Sequence, residues 1–255
     1  MVDTSSHPNA TRRRVAVVAD AGFYVGPALC RELATAGHDL VVGDPAPGLA
    51  DELAAMGVDV ETVTGVRDLA DPDAAPKLVA AAVERFGRVD AAVAFSGQIV
   101  TGRFVNSTVD DLRKVLTGCV EAPYQFLKAA VGPMIEQGEG QILVITSASA
   151  ARPTPGAPLY SSARAAATML TRNVADEVAR NGVQVNAVGT NFMDFPEFLR
   201  ATGADDPEIR KLIEAQVPLG RLGTMEEFAV FCMPFIDGRS RFTTGQFVAY
   251  AGGWA

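Results

Sequence analysis

Apolar residues fall along this chain in two alternating rhythms. Short β-branched or small-apolar runs, such as VAVVA beginning at Val15 and QILVI ending at Ile145, are separated by Ala-rich stretches whose apolar residues recur three or four apart. The first rhythm reads as strand and the second as amphipathic helix. Strands are expected over 15–19, 40–42, 91–95, 142–145 and 183–188, and helices over 26–36, 108–118, 121–136 and 159–181. Gly37 and Gly182 stop two of the helices. Strand–helix–strand alternation with nearly continuous apolar strands implies a parallel sheet buried on both faces, hence an α/β, doubly wound single domain with helices on both sides. The stretch 190–220, interrupted by Pro196, Pro207 and Pro218, breaks the rhythm and reads as a flap. The polar opening MVDTSSHPNATR has no apolar signal core, so residues 1–13 read as a flexible leader and 14–255 as the catalytic domain, in a cytoplasmic protein.

Composition removes several classes of function. With 22 basic against 30 acidic side chains, net charge −8, the chain lacks the basic surface that binding nucleic acid needs. No apolar run reaches the length of a membrane span. Cys30, Cys119 and Cys232 stand singly at no metal-binding spacing and read as buried thiols, so no metal is expected. His7 and His38 are the only histidines, one in the leader and one at a helix end, which leaves general-base chemistry to another residue type.

Ligands of doubly wound sheets sit at the carboxyl ends of the strands, where strand order reverses. A dinucleotide pyrophosphate resting on the first strand–helix turn requires glycines there. This turn reads Asp20-Ala21-Gly22-Phe23-Tyr24-Val25-Gly26, which puts a carboxylate and a phenol where glycines are expected. Asp44, just past the second strand, stands where an acid would hold an adenosine ribose. Either the cofactor site is lost, or Phe23 and Tyr24 pack the turn around a cofactor bound in a distorted way.

A second group lies later in the chain. The strand QILVITS ends at Ser147, and Tyr160 opens the long helix with Arg164 four residues on, on the same face. A fixed guanidinium favours the anionic form of a neighbouring phenol, as a general base requires. Ser147 can donate a hydrogen bond to a substrate oxygen. The plainer reading is a half-buried tyrosine, a solvated arginine and a turn-capping serine.

Ser147, Tyr160 with a basic residue four later, the strand–turn–helix over 15–36 and the closing TGQFVAYAGG resemble the short-chain dehydrogenase/reductase family along almost the whole chain. That family has a Rossmann-like fold and uses Ser, Tyr and Lys with NAD(P). The sequence departs from it at Arg164 in place of lysine, at Asp20 and Tyr24, at Ala94-Phe95-Ser96-Gly97 in place of Asn-Asn-Ala-Gly, at Gly118 in place of the relay asparagine, and at Gly189-Thr190 in place of Pro-Gly. This set of departures is similar to that of the halohydrin dehalogenases. The similarity implies a cofactor-independent carbon–halide lyase that interconverts vicinal haloalcohols with epoxides and halide, and that opens epoxides with azide, cyanide or nitrite.

Ser147, Tyr160 and Arg164 would then be catalytic. Tyr24, Gly189, Thr190, Asn191, Phe192 and Met193 would bind halide, and Phe23, Phe95 and Gly118 would line the substrate pocket. A bare Gly118 would widen the cavity beside the tyrosine, or else let two segments pack closely. No cofactor is expected. The alternative is an NAD(P)-dependent short-chain oxidoreductase with an atypical cofactor turn. The resemblance further implies a homotetramer built on the helices over 108–136 and 159–181.

Overall fold

The computed structural model describes residues 12–95 and 97–255. His7, most of the expected leader and Ser96 lie outside the described residues. Within that leader Arg13 is anchored, donating to the Gly57 carbonyl at 2.6 Å and pairing with Asp39.

The elements run β1 (Val15–Val18), α1 (Gly26–Thr35), β2 (Asp39–Gly43), α2 (Leu49–Ala55), β3 (Val60–Val63), α3 (Ala74–Phe86), β4 (Ala91–Phe95), α4 (Val109–Leu116), α5 (Ala122–Gln137), β5 (Gly140–Ser147), α6 (Pro158–Val178), β6 (Val183–Thr190), α7 (Pro196–Thr202), α8 (Pro207–Glu214), α9 (Met225–Cys232) and β7 (Phe247–Tyr250). The strands form one sheet in the order β3-β2-β1-β4-β5-β6-β7, every neighbouring pair parallel. Strand order reverses between β1 and β4, which makes the carboxyl edge there the crevice for ligands.

Alternate residues of each strand feed opposite faces. Val15 and Val17 of β1, with Ile142 and Val144 of β5, pack under α3, α5 and α6 around Phe126 and Met134. Ala16, Val18, Leu143 and Ile145 pack under α1, α2 and α9 around Leu29, Leu33 and Phe228. Each fully buried large apolar side chain is worth about 1.5–3 kcal/mol, so two such layers hold the sheet rigid under the site.

Two boundaries differ from expectation. Strand β6 runs on to Thr190, because Gly189 and Thr190 pair with Thr146 and Ser147 on one side and with Ala249 and Tyr250 of β7 on the other. Helices α4 and α5 are not two separate segments but are joined by a π-helical turn over Thr117–Glu121. The flap carries α7 and α8.

Candidate active site at the carboxyl edge of the sheet

Register sets the first part of the site. Ser147 and Thr190 are paired neighbours at the ends of β5 and β6, both buried. The Ser147 hydroxyl accepts from the Ser149 hydroxyl at 2.8 Å and from the Ser149 N–H at 3.2 Å. Its own proton points toward the Thr190 carbonyl at a long 3.4 Å. With both acceptor directions occupied, that proton is the one hydrogen Ser147 has to offer a ligand. Ser149 was not among the candidate residues; the signal for it is the Ser-x-Ser spacing at a strand end.

Pro158 starts α6, pre-set for the first helical position. Tyr160 sits one turn before the buried Arg164, as the four-residue spacing requires. The Arg164 guanidinium carbon lies 5.0 Å from the Tyr160 ring centroid, within cation–π range. The cation thus stands over the ring. Its Nε has no hydrogen-bond partner among the described residues. A methyl built on Gly97 would come within 1.8 Å of Arg164 Nη2, so a bare residue 97 makes room for the broad guanidinium.

The aromatic side of the site gathers Phe23, Tyr24 and Phe95 with Phe195 and Phe228. Ring centroids lie 5.8 Å from Tyr24 to Phe95, 4.9 Å to Phe195 and 6.1 Å to Phe228. The Tyr24 hydroxyl meets Thr190 Oγ1 at 2.7 Å. Burial pushes its phenol well above the ordinary range, partly offset by that hydrogen bond, so the group is neutral.

The structure divides the residues expected to hold halide. Tyr24 and Thr190 face one another across the crevice, and Gly189 is ladder-paired strand. Asn191, Phe192 and Met193 instead line a separate cavity of about 90 Å³ with Val217, Gly223 and Tyr250. Met193 is buried in the core and bridges Gly223. Phe192 packs edge-on against Trp254, whose carbonyl accepts from Arg152 at 2.8 Å and whose ring lies under that guanidinium. Gly118 is not open cavity: a methyl there would meet Gln98 Cβ at 2.7 Å and Gln98 N at 2.8 Å. A larger cavity of about 580 Å³, lined by Arg14, Gln141, Gln184 and Arg241, lies at the amino ends of β5 and β6. That is the wrong edge for chemistry in a doubly wound sheet.

Comparison with known proteins fixes the family. Residues 23–255 match the family model described as enoyl-(acyl carrier protein) reductase. A cis-4-hydroxycyclohexanecarboxylate dehydrogenase from Sinomonas cyclohexanicum is 31% identical over 247 residues, covering 96% of this chain and 98% of the relative. The chain belongs to the short-chain dehydrogenase/reductase superfamily. A 2,5-dichloro-2,5-cyclohexadiene-1,4-diol dehydrogenase from Sphingobium indicum is 27% identical over 251 residues, covering 97% and 98%. A gluconate 5-dehydrogenase from Burkholderia cenocepacia, solved with NADP and tartrate, shares the fold at TM-score 0.85 and 24% identity, over 96% of each chain.

These relatives overturn the expected dehalogenase. The family model is a reductase's and the named relatives that match almost the whole chain are dehydrogenases, so the carbon–halide lyase, its haloalcohol and epoxide substrates and its halide partner do not stand. The physical reason lies in the departures themselves. Gly97 and Gly118 are explained by packing against Arg164 and Gln98, and Gly189 by its approach to the Ser147 backbone at 2.6 Å, with no anion needed.

The superfamily implies a nicotinamide dinucleotide, and residues 20–26 do not fit one as arranged. The Asp20 carboxylate already takes the Gly22 N–H at 3.0 Å and pairs with Arg67 at 3.0 Å. Asp44 spends both carboxylate oxygens on the Gly65 and Val66 N–H groups at 2.8 Å each. Gly22 and Gly26 are bare because added methyls would strike the Asp44 and Asp20 carbonyls. Tyr24 lies across the crevice. Among the described residues no cluster of three or more His, Cys, Asp or Glu could hold a metal, and no helix is long and apolar enough to cross a membrane.

Proposed function

We propose that this chain is an NAD(P)-dependent short-chain oxidoreductase acting on a compact, largely apolar secondary alcohol or the matching ketone. The observations that support the reading are a buried Ser147 at the carboxyl end of β5, its hydroxyl oriented by two Ser149 donors, and the Tyr160–Arg164 pair on α6 in a superfamily sheet. The aromatic lining of Phe23, Phe95 and Phe195 suits a ring or branched carbon skeleton. The similarity to a hydroxycyclohexanecarboxylate dehydrogenase points the same way.

The dinucleotide is the hydride carrier such a reaction needs, and the first turn does not accommodate it as it stands. The work of this chain's own residues is therefore at the substrate oxygen. Ser147 donates its proton in a hydrogen bond to that oxygen, held at the correct angle by the two Ser149 donors. Tyr160 exchanges the reacting proton with it, giving it up as a carbonyl becomes an alcohol and taking it back in reverse. Arg164, fixed over the ring face, stabilises the phenolate formed when the proton leaves. Leu112, Leu116, Tyr124 and Met169 expose apolar surface on α4, α5 and α6 and support assembly as a homotetramer through those helices.

The test is turnover of small cyclic secondary alcohols and ketones with NAD(H) and NADP(H), followed by the absorbance of reduced nicotinamide. Coenzyme-linked turnover that falls about 100-fold or more in Tyr160→Phe is expected. Turnover unchanged by that substitution, or none with either coenzyme, overturns the reading.

A further inference from the structure

We propose that the cavity of about 580 Å³ at the amino ends of β5 and β6 is a second, non-catalytic site that takes a planar aromatic carboxylate, with the acid group on its Arg14–Arg241 side and the ring against Phe242. The inference goes beyond the oxidoreductase reading and does not depend on it, because the crevice of that reading lies at the opposite edge of the sheet.

Charge comes first. Arg14, just before β1, lines the cavity and is held in place by four hydrogen bonds. Its Nε donates to His38 Nε2 at 3.2 Å, and its Nη2 donates to Gln141 Oε1 at 3.0 Å and to the Asp90 and Ile236 carbonyls at 3.1 and 3.3 Å. None of these acceptors is a carboxylate, and Nη1 has no hydrogen-bond partner among the described residues. The charged groups that act on Arg14 are Arg88, Arg241, Asp90 and Glu139. Three guanidinium groups thus share two carboxylates, and both carboxylates are engaged. Asp90 pairs with Arg88 and accepts from the Val15 N–H at 2.8 Å, while Glu139 meets Arg88 at 3.0 Å and Arg241 at 3.5 Å. Burial lowers the Arg14 pKa, and the two acids offset only part of that. A cation so placed gains from an anion that reaches it.

Shape sets the rest of the ligand. The volume falls within the roughly 300–1,000 Å³ of small-molecule sites. Gly238 has φ +85°, and a methyl there would stand 2.8 Å from Arg14 Nη1, so a bare residue 238 leaves that donor uncovered. Phe242, on the same lining, has its ring wholly in solvent at 104% exposure. A flat ring laid against it buries that apolar face. The far wall is formed where α5 ends at Gly138 and the turn after α6 ends at Gly182. Helix carboxyl ends carry partial negative charge and unmatched carbonyls. They turn the acid group toward Arg14 and favour a hydrogen-bond donor on the opposite side of the ring.

The test is titration calorimetry of the full chain with 4-hydroxybenzoate, compared with hexanoate, which has the charge without the ring, and 4-hydroxybenzyl alcohol, which has the ring without the charge. We expect saturable binding of 4-hydroxybenzoate, about 10-fold or more tighter than either comparison. Arg241→Gln should weaken it about 10-fold and Phe242→Ser about 5-fold. Both side chains are exposed, so circular dichroism should show an unchanged fold. Tyr160→Phe should bind as wild type does, which keeps this result separate from the oxidoreductase reading. No saturable binding by wild type, or binding that Arg241→Gln and Phe242→Ser both leave unaltered, overturns the site. Binding lost in Tyr160→Phe would place the ligand in the crevice and overturn it too.

Discussion

Gly118→Ala separates two accounts of one residue. Gly118 lies in the π-turn between α4 and α5, and a methyl added there meets the Gln98 backbone nitrogen at 2.8 Å. Alanine gains about 1 kcal/mol over glycine in a helix by propensity alone. Forcing a methyl into a packed backbone costs about 1–3 kcal/mol, since the obstacle is not the movable tip of a side chain. The balance is a net loss of about 1 kcal/mol, which lowers Tm by about 2–4 °C in a chain of this size. Gly132→Ala is the control. Gly132 lies within α5 with nothing within 4 Å of the added methyl, so the change should stabilise by about 0.5 kcal/mol, trimmed from the full propensity gain because Pro133 crowds the preceding Cβ. Thermal and urea unfolding followed by circular dichroism measure both. A Gly118→Ala protein as stable as wild type, or more so, would mean open space beside residue 118 and refute the packing account.

Three further expectations concern the site and its surroundings. Ser149→Ala removes one donor to Ser147 and should lower kcat about 10-fold with little change in KM or Tm, on the reasoning that positioning geometry is felt in the chemical step; equal kcat in steady-state assays would count against Ser149 as a positioning residue. His38 is buried, and burial first, then the adjacent Arg14 cation, lowers its pKa. Its neutral form therefore supports a stability that is complete above the unfolded value of about 6.5 and drains away as pH falls toward the folded value; His38→Gln should flatten that part of the urea-midpoint profile, and an unchanged slope would contradict it. Arg152→Ala frees Trp254 from its clasp and, at about 0.5–1 kcal/mol for an exposed cation–π pair, should lower Tm by about 1–4 °C; an unchanged Tm in thermal unfolding would mean that the clasp adds nothing to stability.

The sheet was legible because strands buried on both faces carry unbroken apolar runs, as β1 and β5 do. Less visible was the region 44–90, where β3 is a half-exposed edge strand of four residues and α2 a helix of seven, both too short for a clear period. Strand β6 continued past its apolar run because Gly189 and Thr190 have partners on both sides, a tertiary fact with no local signature. The same limit governs the site. Tyr160 and Arg164 are linked by helical spacing and could be read together, whereas Tyr24 and Thr190 stand 166 residues apart and meet only through strand order. Asp44 was visible as an acid after β2, yet its two backbone donors come from the segment following β3.

The expected dehalogenase failed for a reason that reaches beyond this chain. Arg164 for lysine, a changed loop after β4 and Gly118 for asparagine carry weight as three agreeing signs only if each arose independently. In the fold they are one chain of contacts. The Arg164 guanidinium occupies the space a side chain at residue 97 would need, residue 98 follows directly, and Gln98 lies against Gly118 so closely that a methyl there would strike its backbone. A broad cation at residue 164 fixes the loop after β4, and the loop in turn fixes what residue 118 can be. Substitutions bound together in this way count once. What remains outside the chain is the crossing from Tyr24 to Thr190, which strand order and not the loop after β4 brings about, and so it counts as a second, separate departure.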